Sequence, residues 1–175
     1  MGAAGSAFAL GGTSVADKIK VIPCFSRLDD ARLKLLAAHF EHRAYSKGDV
    51  LVQQGHSGDT FFLVTKGEVE VTVHSPVKEG TVYVGREKEG FYFGETSLLG
   101  DTPRTATVKA VAPAAALALN RREFLALCRE MPEIKEDLMA IAASRLRSHL
   151  VGIPLFAQFK DTARFVLFCC VNCHC

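Results

Sequence analysis

The sequence predicts a mainly β fold with flanking helices: a small antiparallel β-barrel or jelly roll with an N-terminal helix and two C-terminal helices. Three observations carry this. From Glu41 onward, short strand-forming runs alternate with glycines at positions 48, 55, 58, 67, 80 and 90, the punctuation of closely spaced hairpins. Val69, Val71 and Val73 alternate with polar residues, so one face of that strand turns inward and the other outward. On either side of this region the apolar spacing lengthens to a helical period. The 175 residues, 49% hydrophobic and 23% charged, suit one folded domain with a sizeable core and a fragment more.

In chain order, residues 1–15 are rich in Gly, Ala and Ser and read as a flexible lead-in. Residues 16–40 read as helical, broken at Pro23. Asp29 and Asp30 can cap a helix carrying Leu33, Leu36 and Ala37 on one face, with Phe40 following. Strands are expected at 44–45, 50–52, 60–64, 69–74 and 81–84, with closing strands at 108–111 and 115–119. Asn120 then caps a helix bearing Phe124, Leu125, Leu127 and Cys128. Pro132 interrupts, and Glu133 starts a second helix reaching residue 150, with Ile134, Leu138, Ile141, Ala142 and Leu146 as its apolar positions.

The chemistry concentrates in Phe93-Gly94-Glu95-Thr96-Ser97-Leu98-Leu99-Gly100-Asp101-Thr102-Pro103-Arg104-Thr105-Ala106-Thr107-Val108. Gly94 allows the backbone to approach a ligand, having no Cβ. Residues 96–99 can form one helical turn whose free N–H groups attract an anion. Arg104 can fork onto the same phosphate. Glu95, acceptor-only when ionised, suits a sugar hydroxyl and not a phosphate. Together these groups suit a small ligand with one phosphate and one ribose hydroxyl.

This stretch resembles the phosphate-binding cassette of cyclic nucleotide-binding domains, whose pattern F-G-E-x-[SA]-L-L-x-x-x-P-R-x-A-[TS]-[VI] it keeps without a gap. Residues 48–67, from Gly48-Asp49-Val50 through Gln54-Gly55 and Gly58-Asp59-Thr60-Phe61-Phe62 to Lys66-Gly67, resemble a second, separate motif of the same family. The glycines of that second motif read as hairpin residues that build the barrel and not the site. The resemblance covers residues 18–150. It implies a cyclic nucleotide as ligand, with Gly94 and Glu95 at the ribose, Arg104 at the cyclic phosphate, and Thr96 and Ser97 in the same cassette, Ser97 through its backbone N–H. Thr105, directly after the arginine, matches family members that favour cyclic GMP; a hydroxyl can bond the amino group of a syn guanine, and a methyl cannot. Thr is also a good strand former, so cyclic GMP and cyclic AMP both stay open. Phe91 stands where relatives often carry Asp, which puts the local turn in question more than the binding.

The family resemblance also implies a regulatory module, not an enzyme, whose last helix lids the purine and whose effector is a kinase catalytic domain or subunit, or another effector supplied from elsewhere. No catalytic residue, cofactor or metal is expected. The six histidines are scattered without a His-x-His pair, against a metal-dependent barrel enzyme. A net charge of +2 and the lack of a basic recognition helix after Leu150 argue against nucleic acid as a partner. A degenerate, ligand-free interaction module is the alternative. No transmembrane segment or signal peptide is expected, and the cytoplasm is the expected compartment. Met1-Gly2 with Ser6 matches the N-myristoylation pattern, though one acyl chain anchors weakly.

Residues 151–175 read as the truncated start of a second such domain. Ile22-Pro23-Cys24-Phe25 returns as Ile153-Pro154-Leu155-Phe156, and Ala31-Arg32 as Ala163-Arg164. Cys169, Cys170, Cys173 and Cys175 crowd the end. The tail reads as a disordered or artefactual end; zinc, redox and palmitoylation readings exist, but a metal site lacks a second ligand pair at the right spacing. The expected division is thus a flexible 1–15, a domain over 16–150 and a partial repeat over 151–175.

Overall fold

The computed structural model describes residues 14–74, 81–95, 98 and 103–150. Gly2, Thr96, Ser97, Gly80, the partial repeat and the cysteine-rich tail lie outside the described residues.

The N-terminal segment is three short helices where the sequence suggests a broken run to Phe40. Helix α1 (Val15–Ile19) opens on a capping box: Ser14 accepts from the Asp17 amide while the Asp17 carboxylate accepts from the Ser14 amide. Helix α2 (Pro23–Ser26) carries Pro23 in its first turn, where the missing N–H costs nothing. Helix α3 (Asp30–Ala37) is capped by Asp29, whose carboxylate accepts from the Arg32 amide at 2.8 Å. Phe40 does not continue the helix. It opens strand β1 (Phe40–Tyr45), and its side chain packs edge-on against Phe25, 6.5 Å between ring centres.

Among the described residues seven further strands follow: β2 (Val50–Val52), β3 (Thr60–Lys66), β4 (Glu68–His74), β5 (Thr81–Lys88), β6 (Tyr92–Phe93), β7 (Thr107–Ala110) and β8 (Ala114–Asn120). They form two four-stranded antiparallel sheets, in the orders β1-β8-β3-β6 and β2-β7-β4-β5. This is the expected jelly roll. The turn before β6 closes despite Phe91: its amide donates to Lys88 O at 3.0 Å, its carbonyl accepts from the Val64 amide at 2.8 Å, and its ring stacks on Phe93 at 5.6 Å.

Two strands organise the interior. On β3, Phe61 and Leu63 face a helical core while Phe62 and Val64 face the space between the sheets. On β8, Leu117 and Leu119 join the helices, and Ala114, Ala116 and Ala118 face the other sheet. The period-2 rule therefore sorts large residues outward to the helices and small ones inward on β8.

The C-terminal helices close the helical core. Asn120 caps α4 (Arg121–Glu130) by accepting from the Arg122 amide at 2.8 Å. Helix α5 (Pro132–Leu150) follows after Met131. Ile134 and Leu138 bury into the core beside Phe25 and Leu33. Among the described residues two polar contacts tie these helices to the N-terminal layer: the Arg27–Asp137 ion pair at 3.4 Å, and His39 Nδ1 at 2.7 Å from the Glu123 carboxylate. Cys24 is buried in the same layer, and burial pushes its thiol pKa up to about 12. That leaves it a small hydrophobe and not a nucleophile. Among the described residues no helix is long and apolar enough to cross a membrane.

Phe61 sits at 0% exposure with its ring edge-on to Phe25 at 6.5 Å. Phe61→Ala is expected to remove about 3–5 kcal/mol of stability, read as a lowered denaturant midpoint at unchanged slope. Leu35→Ala, at a position 60% exposed, should change stability by about 0.5 kcal/mol or less. Equal small losses would mean that β3 does not join the two cores.

Candidate functional site

Among the described residues, Glu95 and Arg104 are the charged side chains that are buried, at 5% and 7% exposure. Charges are rarely taken out of water without partners, so their surroundings define the site. Both sit in the connection from β6 to β7.

Gly94 directly follows β6 with φ +87°, a backbone conformation that L side chains rarely adopt. A Cβ there would lie 2.5 Å from Arg104 Nη1 and 2.7 Å from the Thr60 carbonyl oxygen. Gly94 thus leaves the room in which the guanidinium lies. Glu95 follows in helical conformation, and Leu98 anchors the segment at 1% exposure.

Arg104 is held from the loop between β2 and β3. Its amide donates to His56 O at 2.9 Å, and its carbonyl accepts from the Gly55 amide at 2.9 Å. Its Nη2 donates to Thr60 O at 2.8 Å. The guanidinium carbon stands 5.9 Å from the Phe62 ring centre, within cation–π range. A Cβ on Gly58 would collide with the guanidinium, 2.5 Å from Nη2. Nη1 is buried and has no hydrogen-bond partner among the described residues.

The electrostatics follow from this placement. Burial pushes the Arg104 pKa below its ordinary value, opposed by the Asp59 and Glu95 carboxylates. Arginine titrates so far above neutrality that it stays a cation. Asp59 is held below the usual carboxylate range, first by the Thr60 hydroxyl at 2.9 Å and then by the Asn120 amide at 3.2 Å, with Arg104 adding to the effect. The Asp59 carbonyl also accepts from the Arg121 amide at 2.6 Å, at the start of α4. The arrangement offers an oriented, partly desolvated cation with an uncommitted donor, and a buried carboxylate one residue from the glycine that lies against it.

Of the six residues singled out from the sequence, Gly94, Glu95 and Arg104 fall in this site. Thr105 follows as an exposed residue on a bend, and β7 begins at Thr107, one residue before the closing strand expected at 108–111. Thr96 and Ser97 lie outside the described residues. The sequence reading missed Gly58, Asp59 and Thr60. Gly58 also corrects the view that the glycines of the 48–67 motif only build the barrel: its missing Cβ is where the guanidinium lies. Among the described residues no group of three or more His, Cys, Asp or Glu could hold a metal ion.

Residues 42–131 match the family model of the cyclic nucleotide-binding domain. The chain is 33% identical over 122 residues to a cGMP-dependent protein kinase of Drosophila melanogaster (isozyme 2, forms cD5/T2), covering 69% of this chain and 13% of the kinase. It is 35% identical over 152 residues to the cyclic AMP receptor protein of Thermus thermophilus, covering 85% of this chain and 69% of that protein. The crystal structure of the Thermus thermophilus catabolite activator protein superposes with a TM-score of 0.67 at 31% identity, over 77% of this chain and 63% of that one. The regulatory domain of Toxoplasma gondii PKA, crystallised with cAMP, superposes with a TM-score of 0.65 at 26% identity, over 75% of this chain and 49% of that one.

Gly58 has no left-handed φ, so replacing it tests the contact with Arg104 alone. Gly58→Ala should push the guanidinium off Thr60 O and weaken binding of a phosphate-bearing ligand at least about tenfold. The far-UV circular dichroism spectrum should stay the same. Unchanged affinity in the folded variant would mean that the guanidinium position does not matter to binding.

Proposed function

The chain belongs to the cyclic nucleotide-binding domain family, and we propose that it binds cyclic GMP or cyclic AMP as a non-catalytic sensing module. One observation carries the proposal: Arg104 is buried, aligned by Thr60 O, and keeps Nη1 without a partner beside Gly94. A buried donor left unsatisfied costs about 1–3 kcal/mol, and more when charged. A phosphate oxygen is an acceptor of the right charge for it. A ligand-free interaction module would carry that cost with no return, which favours the sensing reading.

In this reading Arg104 holds the cyclic phosphate, and Glu95 accepts from the ribose hydroxyl. Gly94 keeps the cassette backbone close, and Thr96 and Ser97 complete it. Thr105, exposed beside the arginine, biases the pocket towards cyclic GMP. The signal leaves through α5, which is joined to the N-terminal layer, among the described residues, by the Arg27–Asp137 ion pair and by the apolar contacts of Ile134 and Leu138. A ligand shifts α5 only to the extent that it binds one helix position better than the other. The responding element is a kinase catalytic domain or subunit, or another effector. The chain spans 13% of the Drosophila kinase it resembles, a share that fits a sensing module within a larger regulator. We further infer that residues 151–175 begin a second domain of the same kind.

Calorimetric titration with each nucleotide tests the site. Arg104→Ala should cost about 1.5–3 kcal/mol of binding, roughly tenfold to a hundredfold. Thr105→Ala should lower the ratio of cyclic GMP to cyclic AMP affinity and leave cyclic AMP nearly untouched. Retained affinity without Arg104 would overturn the site, and equal losses for both ligands would remove Thr105 from selectivity.

If residues 151–175 begin a second domain, the first domain does not depend on them for its core. A chain ending at Gly152 is expected to melt within a few degrees of the full chain. A large drop in melting temperature would make the tail an integral part of the first domain instead.

A further inference from the structure

Arg104 has a second surface. Strands β1 and β2 are edges of different sheets, and the seam between them opens into a cavity of about 370 Å³ that Arg104 lines together with Arg43, Gln53, His56, Ser57 and Phe62. Val50, 50% exposed, contributes to an apolar wall. Gly94, Glu95 and Thr105 do not line it. Among the described residues, two guanidinium groups line the cavity and no carboxylate does. Arg43 sits 5.7 Å from the Phe62 ring centre and Arg104 5.9 Å from it, so one aromatic ring carries both cations. The opposing charge of Arg43 comes from Glu41 at 3.1 Å, on a side chain 71% exposed. An arginine has five donors, so that pair leaves Arg43 able to bind a further acceptor.

We propose that this seam cavity is a second binding site, for a small organic anion: a phosphate monoester or a carboxylate on an apolar body. Paired arginines recognise the anionic head by charge-assisted forks. The Val50 and Phe62 wall takes the apolar body, and the volume falls in the usual range for small-ligand pockets, about 300–1,000 Å³. Gln53, His56 and Ser57 rim the opening with hydrogen-bonding groups. Because Arg104 lines this cavity and also faces Gly94, an anion in the seam draws on the same cation that the cassette presents. Two anions close together also repel. The coupling between the sites is therefore negative, and by linkage each ligand weakens the other by the same factor.

The test is an amide chemical-shift titration of the full chain with phenyl phosphate, with inorganic phosphate as the comparison. Phenyl phosphate should shift the Gln53, His56 and Ser57 amides in a saturable way, and inorganic phosphate, lacking the apolar body, should bind these amides more weakly. Arg43→Gln should raise the apparent Kd read at those amides at least about tenfold. Val50→Glu places a carboxylate in the cavity and should abolish the response by charge alone, which guards against misfolding of the arginine variant. Shifts confined to Gly94 and Glu95, or an affinity within about twofold in both variants, would overturn the proposal. These amides report the seam whether or not the chain binds a cyclic nucleotide, so failure here and failure of the cassette reading are separate results.

Discussion

Placing one guanidinium inside the protein constrains much of what surrounds it. A buried cation is costly unless its donors are matched. Here the matching comes from two stretches far apart in sequence, residues 55–60 and Gly94: the Thr60 carbonyl at the start of β3, the missing side chains of Gly58 and Gly94, and the backbone exchange of Arg104 with Gly55 and His56. Each exists only if the 53–59 loop and the β6–β7 connection meet. The two sheets and the Phe62–Phe93 stack, 5.1 Å between ring centres, hold them together. Fold and site are thus the same construction seen from two sides.

The two-sided burial of β3 and β8 extends that construction to the helices. Phe61 and Leu63 place the helical layer directly behind the strand whose next-door residues, Thr60 and Phe62, touch Arg104. Asp59 makes the link tighter. Its carboxylate is set by Thr60 and Asn120, and its carbonyl receives the first amide of α4. Hydrogen bonds thus join the surroundings of Arg104 to the start of α4.

Much of this was legible in the sequence because side-chain chemistry announces itself. Gly94, Glu95 and Arg104 stand in one stretch, and the alternation Val69, Val71, Val73 marks a half-buried strand. What was hidden acts through backbone or through absence. Thr60 contributes a carbonyl 44 residues before Arg104, and any residue type has a carbonyl. Gly58 contributes the lack of a Cβ, which looks the same as a hairpin glycine. The ends of β1 and β5 were under-read for another reason. Both are edge strands, and edges carry charge, as Glu41 and Arg43 or Arg86 and Lys88 do here, which erases the two-residue alternation. Phe40 closes the helical run read over 16–40 because it follows Leu33, Leu36 and Ala37; its pairing with Leu119 on β8 places it on the strand.

Arg104 Nη1 is proposed as the receptor for the ligand's phosphate. A crystal structure of the chain grown with a cyclic nucleotide tests it most directly. A phosphate oxygen is expected about 2.7–2.9 Å from Arg104 Nη1, with Thr60 O still bound to Nη2 and the Glu95 carboxylate on the ribose hydroxyl. A nucleotide seated elsewhere, with Nη1 still lacking an acceptor, would contradict it.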